Sequence, residues 1–187
     1  MGRWEPDARQ RLEQAALELF AEQGFAATTV PQITARAGLT TRTFFRHFAD
    51  KREVLFAEDQ AAEAAEQLLI TAPPGTDPLT LILDGLRAVA TARFEPKRAH
   101  LRALREIIRT DDGLRERELR KRGILREVVR TGFLARGLPA TTAALLAETG
   151  TTLLFVSVDE WLDRDDSRPL ADIIDDTLTT LRAVLKT

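Results

Sequence analysis

Apolar residues recur at intervals of three and four along most of this chain, the spacing that places them on one face of an α-helix. Between Pro6 and Gln23 the apolar face consists of Leu12, Ala15, Ala16, Leu19 and Phe20. A second clear face consists of Leu79, Ile82, Leu83, Leu86 and Ala90. No segment shows the apolar–polar alternation of a half-buried strand, and no internal repeat is visible. The pattern predicts an all-α fold of about nine helices.

Capping signals divide this pattern into separate helices. A T-x-x-Q capping box starts at Thr29, and Gly38 ends the two-turn helix that follows it. Thr40 is placed to cap a second short helix directly afterwards. The strongest break in composition is TAPPGTDP at 71–78, which ends in an Asp-Pro pair typical of a helix start.

Two short helices joined by a glycine-containing turn, with a longer helix before them, have the organisation of a helix-turn-helix. A helix that reads bases needs small polar and basic side chains near its N-terminus. Arg42 stands at that place between two threonines, and its fork can bind a guanine edge. Phosphate contacts are expected on both sides of such a helix. The residues predicted to contact DNA are Thr29, Thr40, Thr41, Arg42, Thr43, Arg46, His47 and Lys51.

Charge is unevenly distributed, although the formal net charge is only −2. Between Ala26 and Arg52 the basic residues stand at positions 36, 42, 46, 51 and 52, and the only acidic residue is Asp50. The remainder of the chain is more acidic than basic. This distribution allows a local contact with a polyanion and argues against a non-specific coat on nucleic acid.

The stretch TTVPQITARAGLTTRTFFRHFADKREVL at 28–55 resembles the DNA-binding signature of TetR-family transcriptional regulators, and ALELFAEQGFAATTV at 16–30 resembles its lead-in. The resemblance implies a homodimeric repressor that binds a near-palindromic operator and releases it when a small molecule enters the C-terminal domain. It implies a DNA-binding domain over residues 1–50 and a ligand-binding and dimerisation domain over 51–187. The family often has tyrosine, whose hydroxyl meets a phosphate, at the position of Phe45. Phenylalanine cannot make that bond, so Phe45 is expected to pack.

The C-terminal part has a second similarity, carried by LREIIRTDDGLRERELRKR at 104–122 and DEWL at 159–162. These stretches are similar to a TetR subgroup with fatty-acyl-CoA-like ligands, which includes the mycofactocin-associated regulators. The residues alone also favour an apolar ligand, because the helices between Leu79 and Val158 are rich in aliphatic side chains and lack tyrosine. Residues that can line a cavity, or serve as ordinary core, are Phe94, Leu104, Ile108, Leu125, Val129, Phe133 and Phe155.

The last predicted helix carries an apolar seam with 4-4-3-4 spacing, wider than a lone surface helix needs. Two copies of the last two helices can form a four-helix dimer interface. The other possibility is that the seam packs only against the chain's own core. The predicted interface residues are Leu170, Ile174, Leu178, Leu181 and Leu185.

The sequence lacks the residue combinations that several kinds of chemistry require. There is no cysteine and there are two isolated histidines, so no metal site is expected. No nucleophile or phosphate-binding glycine motif is visible, so neither a cofactor nor enzymatic activity is expected. No apolar run is long enough to span a membrane, so the protein is expected in the cytoplasm. An all-helical enzyme and a non-specific DNA-binding scaffold are the alternatives.

Arg3 and Trp4 can form an arm into a DNA groove, although unstructured termini are more common.

Overall fold

The computed structural model describes residues 8–56 and 61–186, and its regular structure over these ranges is helical. The all-α prediction is confirmed. The predicted arm at Arg3 and Trp4 lies outside the described residues. The helices are α1 (Ala8–Gln23), α2 (Val30–Ala37), α3 (Thr41–His47), α4 (Ala61–Thr71), α5 (Pro78–Val89), α6 (Arg98–Arg109), α7 (Asp112–Ala135), α8 (Ala140–Asp163) and α9 (Leu170–Val184). Shorter elements are a 3₁₀ turn (Glu53–Leu55), a π-helical turn (Ala90–Phe94) and a second 3₁₀ turn (Glu95–Lys97).

The predicted caps are present in the structure. The Thr29 hydroxyl accepts from the backbone N–H of Gln32, whose side chain accepts from the backbone N–H of Thr29 at 2.8 Å. Gly38 ends α2 in the left-handed conformation with φ of 64°, which a residue with a Cβ adopts only with strain. The Asp77 carboxylate accepts from the Thr80 N–H at 2.8 Å and so caps α5.

The first of two compact units contains the described residues 8–56 together with 102–118. Phe44 and Ile33 are fully buried at its centre, and Leu114 from the start of α7 is fully buried in the same core. The predicted domain boundary at residue 50 therefore differs from the structure. A sequence boundary misses residues 102–118 because their membership depends on a contact that is distant along the chain.

The second unit contains the described residues 61–101 and 119–186. Trp161 and Ile173 lie in its largest core cluster. The seam of α9 turns inward here: Leu170 and Ile174 are fully buried in this core, and only 7% of Leu178 is exposed. This corrects the predicted interface at these three positions, because a buried side chain has almost no surface left to lose to a partner. Leu181 is half-buried, and 77% of Leu185 is exposed.

Two arginines of the second unit close the C-terminal ends of helices, where backbone carbonyls lack partners within the helix. Arg98 donates to the carbonyls of Trp161 at 2.5 Å and Arg164 at 2.7 Å, and also to the carbonyl of Asp166. Its guanidinium lies 4.7 Å from the centre of the Trp161 ring. Arg136 acts in the same way at the end of α4, where it donates to the carbonyls of Leu69, Ala72 and Pro73.

Helix α8 is the one helix in the described ranges that is long and apolar enough to cross a membrane, judged by length and composition. Core helices of globular proteins pass the same test. Of the relevant 18-residue stretch, 39% is buried inside the protein, and Leu153, Leu154 and Trp161 of this helix are core residues.

Candidate nucleic-acid interface and ligand cavity

Helix α3 has only seven residues, which is too short for a helix to be stable by itself. Phe44 and Phe48 anchor it: their side chains are buried in the first unit and their ring centres lie 5.4 Å apart. At the other end, the Thr40 hydroxyl accepts from the Thr43 N–H at 3.2 Å, and the two hydroxyls lie 3.0 Å apart. Thr40 and Thr43 thus fix the start of the helix through their own hydrogen bonds.

The outer side of α3 carries the cations that the helix-turn-helix prediction requires. Thr41, Arg42 and Arg46 are exposed. Arg42 forms no hydrogen bond or ion pair within the part of the chain that the structure describes, so its guanidinium has all its donors available. Arg46 lies 3.4 Å from the ring of His47, which is half-buried. The structure therefore brings Thr41, Arg42, Arg46 and His47 together on one short helix.

Phe45 does not pack as predicted. Its ring meets Phe44 edge-on at 5.4 Å between ring centres, but 59% of the residue remains exposed. The reason is geometric, because Phe44 and Phe48 already fill the inward face of α3 at i and i+4. An exposed phenylalanine therefore lies next to Arg46 and one turn after Arg42 on the side of α3 that faces away from the core.

Lys51 also differs from its prediction as a phosphate contact. Its ammonium donates to the carbonyls of Phe25 at 2.8 Å and Thr28 at 2.9 Å, and it lies 4.3 Å from the centre of the Phe25 ring. Burial lowers the pKa of Lys51, and the neighbouring Asp111 opposes that change. The lysine thus supports the connection between α1 and α2, which sequence spacing cannot show because its partners are backbone carbonyls 23 and 26 positions away.

A second basic residue of the predicted patch is also engaged within the protein. Arg36 on α2 donates to both carboxylate oxygens of Glu22 on α1, at 2.9 and 2.8 Å, and these hydrogen bonds raise the pKa of Arg36. Next to this pair, Arg11 donates to the Ala37 carbonyl at 2.5 Å. These contacts fix α2 against α1, so the exposed cations that remain in the patch are Arg42 and Arg46 on α3 and Arg52 after it.

The second unit contains an apolar cavity of about 290 Å³ lined mainly by α4, α5, α7 and α8. Arg93, at the π-helical turn, is the one charged side chain among its described lining residues. Two glycines allow neighbouring helices to pack closely beside it: a Cβ at Gly150 would lie 3.1 Å from Ile82, and one at Gly85 would lie 2.5 Å from Leu68. The lining comprises Ala61, Ala64, Ala65, Leu68, Leu69, Leu81, Ile82, Gly85, Leu86, Ala88, Val89, Ala92, Arg93, Leu125, Val129, Phe133, Gly150, Thr151 and Leu154.

Three of the seven predicted lining residues face this cavity, namely Leu125, Val129 and Phe133. Leu104 and Ile108 were placed wrongly, because both pack in the core of the first unit.

Phe94 and Phe155 pack against the largest core cluster of the second unit, and the Arg122 guanidinium lies 4.0 Å from the centre of the Phe155 ring. None of the seven residues named from the sequence lies on α4 or α5, because the aliphatic, alanine and glycine residues of these helices cannot be told from ordinary core by their spacing.

Comparison with known proteins agrees with this architecture. Residues 13–57 match the family described as bacterial regulatory proteins, tetR family. The HTH-type transcriptional regulator TcmR of Streptomyces glaucescens is 44% identical over 82 residues, which cover 43% of this chain and only 36% of TcmR. MftR of Mycobacterium tuberculosis, named for transcriptional regulation of mycofactocin biosynthesis, is 28% identical over 93% of this chain and 89% of its own length.

A solved structure shows the same fold over both units. The Thermus thermophilus protein FadR, a TetR-family transcriptional repressor in complex with lauroyl-CoA, aligns with a TM-score of 0.55 at 23% identity and covers 92% of each chain. The helix-turn-helix geometry, the family match over residues 13–57 and the relatives named as transcriptional regulators all agree. Residues 13–57 of this chain are thus similar to the N-terminal domain of bacterial regulatory proteins of the tetR family.

Proposed function

We propose that this chain is a ligand-responsive repressor that binds a palindromic operator in the cytoplasm as a homodimer, with α3 as its reading helix. The single observation that carries the proposal is the exposed Arg42, whose donors have no partner in the described part of the protein. Buried Phe44 and Phe48 hold the helix that presents it. A guanidinium on such a support can donate two hydrogen bonds to a guanine edge in the major groove.

Thr41 and Arg46 are proposed as further contacts, one to a base and the other to a phosphate, with His47 beside it. Phe45 is proposed to contact DNA through its exposed ring, since apolar side chains in the major groove meet the thymine methyl group. Thr29 and Thr40 act first as the caps of α2 and α3, and Thr43 acts through its hydrogen bonds with Thr40, so any phosphate contact from these three residues is secondary. Lys51 is left out of this set because of its internal hydrogen bonds.

Operator binding is tested by selecting binding sites from random duplexes with the purified protein and measuring affinities at fixed salt. Arg42→Ala should weaken binding by about 1–3 kcal/mol and relax preference at one base pair of each half-site. Arg109→Ala is the matched control, because Arg109 is an exposed arginine of the first unit that pairs with Glu106 at 3.1 Å. Unchanged base preference in Arg42→Ala would show that α3 does not read DNA through this residue.

The same experiment separates the alternatives. A non-specific scaffold would yield no enriched sequence, and an enzyme would show neither enrichment nor saturable binding. The relatives named above are transcriptional regulators, which supports the absence of a catalytic role for this chain.

The homodimer is proposed to form through the outer faces of α8 and α9. After the buried seam residues Leu170, Ile174 and Leu178 are excluded, exposed apolar side chains remain on α8, on α9 and directly after α9, at Leu145 (63% exposed), Val156 (48%), Val184 (66%) and Leu185 (77%). Isolated exposed apolar residues are ordinary, but several on two neighbouring helices favour an interface. Dimers also match operators that contain two half-sites.

Sedimentation of a Leu145→Glu, Val156→Glu variant tests this surface. We expect a monomer at micromolar concentration and loss of operator binding, because carboxylates would be buried at the interface. Ile70→Glu is the control, since Ile70 is an equally exposed apolar residue on α4. A double variant that remains dimeric would exclude this face.

The inducer is proposed to be small and apolar and to occupy the cavity of the second unit. Nearly all of the described lining is aliphatic or aromatic, so the hydroxyls of a sugar would find few partners there. The lauroyl-CoA complex of the Thermus thermophilus relative supports an acyl chain as a candidate. Such a ligand releases DNA only if it binds more tightly to a state in which the reading helices no longer match successive major grooves.

A further inference from the structure

The chain between residues 86 and 98 joins the cavity of the second unit to the turn between α8 and α9. Its residues Leu86, Val89 and Ala92 line the cavity. Its last residues form hydrogen bonds to the backbone on both sides of the turn. We infer that this segment, the clasp, transmits occupation of the cavity to the turn between α8 and α9. The inference rests on the proposed inducer cavity and adds the route by which a ligand there acts on the proposed dimer helices.

The clasp satisfies backbone groups at two helix ends. The Glu95 carboxylate accepts from the Leu170 N–H at 2.9 Å, at the start of α9, where the helix's own N-cap residue forms no side-chain cap. A carboxylate at this place also suits the positive end of the helix dipole. Three residues later, Arg98 donates to the carbonyls of Trp161 at 2.5 Å and Arg164 at 2.7 Å, at the end of α8. Both ends that meet at the turn therefore depend on one short segment.

The middle of the clasp departs from α-helical geometry. The turn Ala90–Phe94 is π-helical, and a 3₁₀ turn follows it directly. Pro96 explains the interruption, because proline has no N–H to donate and its ring clashes with the carbonyl four residues earlier, at Ala92. Such π turns are rare in helices and frequent at functional sites. A change in the winding of these turns rotates Glu95 and Arg98 about the helix axis and so withdraws them from their acceptor and donor groups.

The cavity volume gives a ligand reason to move this wall. About 290 Å³ is at the small end of the range of roughly 300–1,000 Å³ for ligand pockets, so a larger ligand must displace part of the lining. On α7 and α8 the lining residues Phe133 and Leu154 are buried in close-packed core, which resists displacement. The lining residue Ala92 of the clasp is exposed and lies in the irregular turn. The clasp is therefore the wall that yields.

Displacement of the clasp has a defined consequence for α9. Without Glu95 the Leu170 N–H loses its acceptor, and the first turn of the helix is destabilised. The proposed dimer face lies on α8 and α9, so a ligand that loosens their connection weakens the dimer and its hold on two half-sites. By linkage, dimerisation must lower the affinity for the ligand by the same factor.

The Leu170 amide is the direct reporter, followed by NMR hydrogen exchange on the full-length chain. Glu95→Ala removes the acceptor and should accelerate exchange of this amide about tenfold, the effect of one lost charge-assisted hydrogen bond. Glu95→Gln keeps an acceptor oxygen and should give an intermediate rate. Glu66→Ala is the matched control, because Glu66 is an exposed glutamate of the same unit on α4.

Occupation of the cavity is supplied in two ways. Decanol is a neutral apolar probe whose binding is followed by calorimetry, and Val129→Phe fills the space from α7. Either occupant should accelerate exchange at Leu170 about fivefold in wild-type protein and cause no further acceleration in Glu95→Ala. The dimer dissociation constant, measured by sedimentation, should rise in the same pattern. Ile124→Phe is the control, since it enlarges an exposed side chain of α7 outside the cavity lining.

Two results would overturn the inference: an unchanged Leu170 rate in Glu95→Ala, or an occupant that has no effect in wild type or an equal effect with and without Glu95. If decanol does not bind, Val129→Phe decides alone, and Ala64→Leu, which fills the cavity from α4, replaces it if circular dichroism shows that it does not fold. A wild-type protein that stays monomeric would contradict the homodimer proposal. The exchange measurement would still decide the role of the clasp, so the two failures are distinguishable.

Discussion

Replacement of Lys51 by methionine distinguishes an internal role for this lysine from a role in phosphate binding. Methionine keeps most of the side-chain length and removes the ammonium. In the structure the change deletes two short hydrogen bonds, to the carbonyls of Phe25 and Thr28, and one cation–ring contact with Phe25. We therefore expect loss of stability in the first unit, without a specific change in how the folded protein responds to salt on DNA.

The magnitude follows from these contacts. Two hydrogen bonds from a charged donor contribute about 3 kcal/mol together at the lower end of their range. The cation over the Phe25 ring adds about 0.5–1 kcal/mol at a partly exposed site. Ordering the lysine side chain costs about 1.5–2 kcal/mol. The difference is a net stabilisation of about 2 kcal/mol, which corresponds to a melting temperature lower by about 4–8 °C for a chain of this size.

The assay combines thermal unfolding, followed by circular dichroism, with a salt titration of operator binding by fluorescence anisotropy. Lys51→Met should melt earlier than wild type and keep the same slope of log affinity against log salt at a temperature where both are folded. Lys186→Met serves as the control, since Lys186 is an exposed lysine at the end of the chain. An unchanged melting temperature together with a slope reduced by about 0.9 would refute the reasoning, because that is the signature of one lost phosphate contact.

Three further predictions concern other described residues. Phe45→Ala should weaken binding to the selected operator. In this variant, replacing one thymine by uracil, which lacks the methyl group, should cause no further loss of affinity. Additive losses of affinity would contradict a methyl contact. Arg98→Met should destabilise the second unit by about 3 kcal/mol through its lost carbonyl contacts. Urea unfolding followed by Trp161 fluorescence in a Trp4→Phe background measures this loss, and wild-type stability would disprove the capping role. Burial lowers the pKa of His100 below its ordinary value of 6.5, so the unfolded state takes up more protons, and stability should fall as pH decreases below about 6.5. His100→Gln should flatten that part of the stability profile, and an unchanged profile would exclude His100 as its source.

The sequence was sufficient to predict those structural features that depend on residues close together along the chain. The capping box at Thr29, the left-handed Gly38 and the cap at Thr40 are local hydrogen-bonding and backbone preferences. Together with the three-to-four periodicity they determine the helix-turn-helix and the all-α class. The candidate position of Arg42 for contacting bases follows from the same local signals, because the cap at Thr40 determines which residues lie in the first turn of α3.

Only the tertiary structure decided which side of each helix is buried and which cations remain available. Lys51 and Arg42 look equally suited to DNA in the sequence, but the carbonyls of Phe25 and Thr28 engage only the lysine. From the sequence, the apolar seam of α9 likewise fits a dimer interface, but in the structure Leu170 and Ile174 are buried in the core. The cavity depends on four helices that are separated in the sequence and meet in space. Periodicity reports that a helix has an apolar face, and only the packing of the other helices determines what that face contacts.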